Sequence, residues 1–160
     1  MSNSVPPIPE GYHSITPYLT IRDAAKAIDF YKSAFGAVEI CRMAEASGKI
    51  GHAELRIGNS HFMVSDEYPD WGALGPQSVG GTSTSLMVYT EDPDAVFNEA
   101  IRQGAEALMP MSDQFYGDRC GKLLDPFGHK WMFAKRIEIV PEPELAKRAN
   151  EQFGMSYTKA

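Results

Sequence analysis

The sequence predicts an α+β fold: two paired βαβββ modules with curved sheets, followed by a C-terminal helix. Three observations carry this prediction. Stretches of strand period flank a single amphipathic helix, the same order of elements recurs once further along, and Asp and Gly punctuate the two helices in matching places. A long unit that occurs only twice indicates a duplicated half-domain rather than a solenoid.

Residues 1–11 (MSNSVPPIPEG) are rich in Pro, Ser and Asn and read as a flexible arm. TPYLTI (16–21) alternates as a short strand, with Tyr18 and Thr20 on one face and Leu19 and Ile21 on the other. Asp23 is the expected N-cap of the helix AAKAIDFYKSAF, in which Ala27, Ile28, Tyr31 and Phe35 follow helical spacing and Gly36 ends the run. AVEICRMAE, KIGHAELRI and SHFMVS follow as strands. A Gly/Pro-rich connection (67–82) then leads to the strand TSLMVYT. Asp92-Pro93 supplies a cap and a first-turn proline for PDAVFNEAIRQ, which Gly104 closes. EALMPM, RCGKLL and HKWMFAK complete the second set of strands, and a helix starts near Pro143. Module one therefore spans about 12–66, module two 83–137, and a helical extension 138–160.

The stretch HAELRIGNSHF (52–62) carries the most chemistry. Gly58-Asn59 is a two-residue hairpin signal, which pairs Ile57 with Ser60, Arg56 with His61 and Glu54 with Met63. Side chains alternate across a strand, so His52, Glu54, Arg56, His61 and Met63 share one face. Ala53, Leu55, Ile57, Phe62 and Val64 share the other, which must be the core. The polar face reads either as a solvated surface, with Glu54 and Arg56 neutralising one another, or as a cavity floor where Glu54 acts as base or ligand beside the histidines.

Bulk properties exclude several classes of function. Hydrophobic residues at 43% and charged residues at 22% describe an ordinary folded domain. A net charge of −6 without a basic stripe argues against a nucleic-acid partner. There is neither an apolar run of membrane-spanning length nor a signal-peptide pattern, and Cys41 and Cys120 lack CxxC spacing, so a cytoplasmic protein with reduced thiols is expected.

TPYLTIRDAAKAIDFYKSAFGA, GHAELRIGNSHFMVSDE and above all YGDRCGKLLDPFGHKW resemble the vicinal oxygen chelate superfamily, nearest its PhnB-like, glyoxalase/bleomycin-resistance branch. The resemblance covers residues 12–137. It implies paired βαβββ modules, half-barrel cavities and a homodimer. Members that use a metal hold it with four residues on cavity-facing strands. Carried over, those positions fall on Thr16, Glu54, Ser85 (Thr84 with a slip) and Met132, of which only Glu54 is a good ligand for a divalent ion. The resemblance thus implies no family metal quartet and no glyoxalase I chemistry. A shifted metal site of His52, Glu54 and His61 is an alternative, opposed by Arg56 facing His61.

Tyr18, Met63, Met87, Tyr89 and Met132 are expected on inner, cavity-facing positions as an adaptable apolar lining. Tyr116, Asp118 and Arg119 are expected in a loop over the cavity, where Arg119 either forks onto an anionic ligand or pairs with Asp118. Trp71 reads as a lid or a loop anchor. His129 reads as structural, and Trp131 and Phe133 as core. Two functions follow. The first is binding of a small organic ligand without cofactor, using Glu54, His52, Arg56 and Arg119 as polar contacts. The second is a lyase, isomerase or epimerase with Glu54 as general base next to a carbonyl.

Overall fold

A computed structural model describes residues 5–159. They form two four-stranded sheets and divide into two compact units, residues up to Thr84 with Asp125–His129, and Ser85–Leu124 with the residues from Lys130 onward. The first unit contains β1 (Tyr18–Ile21), α1 (Ala24–Phe35), β2 (Val38–Ala44), β3 (Ile50–Ile57) and β4 (Ser60–Asp66), in the sheet order β1-β4-β3-β2. β1 runs parallel to β4, and the other neighbours are antiparallel. The hairpin register is the one the Gly58-Asn59 turn predicts: Ile57 faces Ser60, Arg56 faces His61 and Glu54 faces Met63. Gly58 takes φ 57° and Asn59 does not, as a Gly-X hairpin turn requires.

α1 lays Ala24, Ala27, Ile28, Tyr31 and Phe35 into a core that also holds Leu19, Ile21, Ala53, Leu55, Phe62 and Val64. Each fully buried aliphatic side chain here contributes about 1.5–3 kcal/mol relative to exposure. The cap of α1 departs from expectation. Asp23 adopts the left-handed conformation at φ 62° and its side chain accepts no cap hydrogen bond. Asp66, at the end of β4, replaces it: Oδ1 accepts the Ala24 N–H at 3.0 Å and Oδ2 the Ile50 N–H at 2.6 Å. A carboxylate from the sheet thus ties the helix start to β3 and satisfies an otherwise orphaned donor.

Asp125–His129, the turn between the seventh and eighth strands, belongs to this first unit. Asp125 is buried, accepts the Phe127 and His129 N–H groups at 2.9 Å each, and receives the Tyr31 hydroxyl at 2.7 Å. His129 donates from Nε2 to the Thr20 carbonyl on the edge strand β1, at 3.1 Å. Both residues of the DPFGH turn are thereby held as structural elements.

The connection after β4 is not featureless. Pro69–Trp71 forms a 3-10 turn and α2 (Pro76–Val79) a short helix. In the second unit β5 (Ser85–Tyr89), β6 (Glu106–Asp113), β7 (Asp118–Leu124) and β8 (Lys130–Arg136) stand in the order β5-β8-β7-β6. α3 (Pro93–Arg102) covers one face. Asp92 caps α3 as expected, accepting the Ala95 N–H at 3.0 Å, so the two modules cap their helices by different means. Leu123, Trp131 and Phe133 form the core beside Phe97 and Ala100. Gly121 permits the close approach: a Cβ there would meet Met111 Sδ at 2.6 Å and Phe97 at 3.0 Å. α4 (Glu142–Phe153) follows, and its Arg148 bridges Glu138, Glu144 and the Phe115 carbonyl. Among the described residues no helix is long and apolar enough to cross a membrane.

Candidate functional site

The open face of the first sheet gathers polar side chains because core residues claim the opposite one. Register places Tyr18, Met63, Glu54 and Cys41 in a row across β1, β4, β3 and β2. Cys41 joins this row through a bulge. Glu39 pairs with Leu55 and Cys41 pairs with Glu54, so Ile40 is the extra residue that turns the thiol towards Glu54. In the neighbouring row Met43 faces His52.

A hydrogen-bonded chain runs through these residues. The Tyr12 hydroxyl donates to Glu54 Oε2. His52 Nε2 lies 3.3 Å from Glu54 Oε1, and the Tyr18 hydroxyl lies 2.8 Å from His52 Nδ1. A carboxylate only accepts, so the neutral ring carries its proton on Nε2 and Nδ1 accepts from Tyr18. The two donors hold the Glu54 carboxyl below its usual range, Tyr12 first and His52 second. The Tyr12 phenol is pushed up to about 12, chiefly because ionising it would cost that bond.

His61 stands apart from this chain. It donates from Nδ1 to the Gly11 carbonyl at 2.9 Å, while Tyr12 stacks on its ring with centroids 4.2 Å apart. Residues Gly11 and Tyr12 are thus held over the sheet. Arg56 directs its guanidinium to the Gly58 carbonyl, so the expected Glu54–Arg56 neutralisation does not form; Glu54 is engaged by Tyr12 and His52.

Beside the chain lies a cleft of about 710 Å³, lined by Tyr18, Thr20, Met43, Glu45, Tyr68 and Trp71 among others. Tyr68 and Trp71 stack with centroids 5.2 Å apart and an interplanar angle of 17°. Lys49 Nζ sits 3.8 Å from the Tyr68 ring centroid, and the Tyr68 hydroxyl donates to Glu45 at 2.9 Å. Trp71 remains 82% exposed although it belongs to this wall. The volume falls within the roughly 300–1,000 Å³ usual for small-molecule sites.

The second unit places its expected residues differently from one another. Met87 pairs with Met132, and Ser85 and Tyr89 share their face of β5, as alternation predicts. The Tyr89 hydroxyl donates to buried Asp118 at 2.6 Å, and Arg136 lies 3.9 Å from the same carboxylate. Tyr116 lies against Cys120, hydroxyl to sulfur 3.5 Å, and burial pushes its phenol up. Asp118 and Arg119 are not in a loop but begin β7. Arg119 therefore points to the helix side, where it forks onto Asp94 of α3 at 2.8 and 2.7 Å and reaches Asp113 at 2.9 Å. The expected Asp118–Arg119 pair is replaced by these two sets. A one-residue offset along a strand accounts for it, since adjacent residues face opposite ways.

At the positions that the resemblance assigns to metal ligands, the donor chemistry is poor. Thr16 precedes β1 and donates to the His13 carbonyl at 3.4 Å, while Ser85 and Met132 offer only a hydroxyl and a thioether. These residues do not fit a divalent ion of the imidazole- and carboxylate-seeking kind. Tyr12 and Cys41 are the site residues that sequence reasoning missed. Tyr12 has no periodic pattern around it, and the bulge that turns Cys41 has no sequence mark.

Residues 11–133 match the Glyoxalase/Bleomycin resistance protein/Dioxygenase superfamily. An uncharacterised protein of Mycobacterium bovis is 37% identical over 142 residues, covering 87% of this chain and 93% of its own. The crystal structure of TioX from Micromonospora sp. ML1 aligns at TM-score 0.62 and 27% identity, over 77% of this chain and 98% of that one. A PhnB protein from Bacillus cereus shares the fold at TM-score 0.58 and 24% identity, over 77% and 99% of the two chains.

Proposed function

This chain belongs to the Glyoxalase/Bleomycin resistance protein/Dioxygenase superfamily, and we propose that it is a binding protein for a small organic ligand, acting without the family's metal quartet. The observation that carries this reading is the cleft on the first sheet, walled by the stacked Tyr68 and Trp71. A wall of parallel aromatic rings next to Met43 favours a planar, largely apolar ligand, because stacking and dispersion reward flat faces. Tyr18 supplies a polar contact at the cleft and couples it to His52 and Glu54. Arg119, tied to Asp94 and Asp113, takes no part.

The alternative, an enzyme with Glu54 as general base, draws support from the position of Glu54 in the Tyr12–His52–Tyr18 chain. The same chain weakens it. Two donors stabilise the carboxylate, whereas a general base works best with its pKa near the operating pH. The reading includes a second copy of the chain as partner. Support comes from β2, an edge strand that exposes Val38, Ile40 and Met43.

Ligand binding is testable through tryptophan emission. The chain has two tryptophans, and Trp131 is 2% exposed against 82% for Trp71. Titration with a panel of small planar aromatic compounds should give saturable quenching for at least one of them. Trp71→Phe should abolish that quenching and weaken binding measured by calorimetry. A panel that leaves both emission and heat unchanged up to millimolar concentration would sink the reading.

A further inference from the structure

We propose that Cys41, His52 and Glu54 form a three-donor site for a borderline-soft divalent metal, with zinc as the best match. One donor atom of each residue lies within 4.8 Å of the other two. This set is distinct from the family positions: it keeps Glu54, drops Thr16, Ser85 and Met132, and adds a thiol and an imidazole from β2 and β3.

The chemistry suits zinc. Thiolate, imidazole nitrogen and carboxylate oxygen are its three common protein ligands, and three of them leave a fourth tetrahedral position open. Bond lengths of about 2.0–2.3 Å at tetrahedral angles put donor atoms roughly 3.3–3.6 Å apart. His52 Nε2 and Glu54 Oε1 already stand at 3.3 Å. The Cys41 thiol, exposed on the edge strand β2, supplies the third donor within 4.8 Å of the other two.

The surroundings are arranged as a metal site's surroundings are. A ligating imidazole is oriented by a partner on its other nitrogen, and the Tyr18 hydroxyl occupies that place on Nδ1. When Nε2 takes the metal, the ring proton moves to Nδ1 and Tyr18 turns from donor to acceptor. The Cys41 thiol proton is released. Tyr12 steadies Glu54 through its second oxygen and leaves Oε1 to the metal. The bulge at Ile40 is what brings the sulfur to this face, and bulges gather where a side chain must be re-aimed. The cations that would oppose a metal are engaged elsewhere: Arg56 on the Gly58 carbonyl and Arg42 on Glu39. His61, committed to Gly11 and stacked under Tyr12, is not a ligand in this arrangement.

The test uses reduced, chelator-treated, full-length protein titrated with Co²⁺ alone. Wild type should bind one Co²⁺ per chain with a near-ultraviolet thiolate-to-cobalt charge-transfer band, and added Zn²⁺ should erase the band. Cys41→Ser should lose it while circular dichroism shows an intact fold. Glu54→Gln and His52→Ala should each weaken Co²⁺ binding by at least about tenfold, and Tyr18→Phe by about tenfold through the imidazole's orientation alone. No band in folded wild type overturns the proposal. So does a band that survives Cys41→Ser, because the remaining thiol is the buried Cys120. Ligand titration of the metal-free protein, read at Trp71, keeps this outcome separate from the fate of the cleft.

Discussion

Asp66 and Asp23 provide a sharp test of how the first helix is started. By sequence Asp23 is the cap, and its removal should cost what a lost N-cap costs, about 0.5–2 kcal/mol. By structure the work falls to Asp66, whose two carboxylate oxygens accept the N–H groups of Ala24 and Ile50. Both of those residues are fully buried, so Asp66→Ala strands two donors away from water. A hydrogen bond to a charged acceptor contributes about 1.5–3 kcal/mol, which puts the total loss at about 3–6 kcal/mol. For a chain of this size each kcal/mol lowers Tm by about 2–4 °C, so a fall of at least about 6 °C is expected. Asp66→Asn keeps one acceptor oxygen and should lose about half as much. Asp23 sits at φ 62°, where a glycine relieves backbone strain but gains freedom in the unfolded chain. Asp23→Gly should therefore be neutral to about 1 kcal/mol more stable. Urea unfolding followed by circular dichroism, with thermal melts beside it, measures all three. If Asp23→Gly proves as damaging as Asp66→Ala, the reasoning about the cap is wrong.

Arg119 and Asp94 make a pH-dependent pair. Arg119 holds the Asp94 carboxyl below its ordinary value, so this contribution is complete above about pH 4, the unfolded Asp value, and fades as pH falls through the folded one. Arg119→Met should therefore be less stable than wild type at neutral pH, with the gap narrowing in acid; a gap that widens below pH 4 would contradict the pairing. Both groups are more than a third exposed, so salt should also shrink the gap. For the second copy, light scattering after size exclusion should return twice the 17.6 kDa chain mass, and a single-chain mass at micromolar concentration would refute the homodimer.

Much of this protein is legible in its sequence because much of it is local. Strand alternation, helical spacing and the Gly58-Asn59 turn depend on neighbours within a few residues, and each strand and long helix stands within two residues of where those signals put it. The short turn and helix between β4 and β5 left no such mark. The register of the hairpin is legible for the same reason: a slip would have buried His52, Glu54, Arg56 and His61. What tertiary structure decided are the partners. Asp66 rather than Asp23 meets Ala24, across 42 residues. Tyr12, rather than Arg56, meets Glu54, again across 42. Arg119 meets Asp94 on the helix side, across 25. A carboxylate or guanidinium accepts many partners of similar energy, and one residue of bulge or offset changes the face on which it finds them. Periodicity determines which residues are buried; only the packed chain selects which of the exposed, charged ones touch.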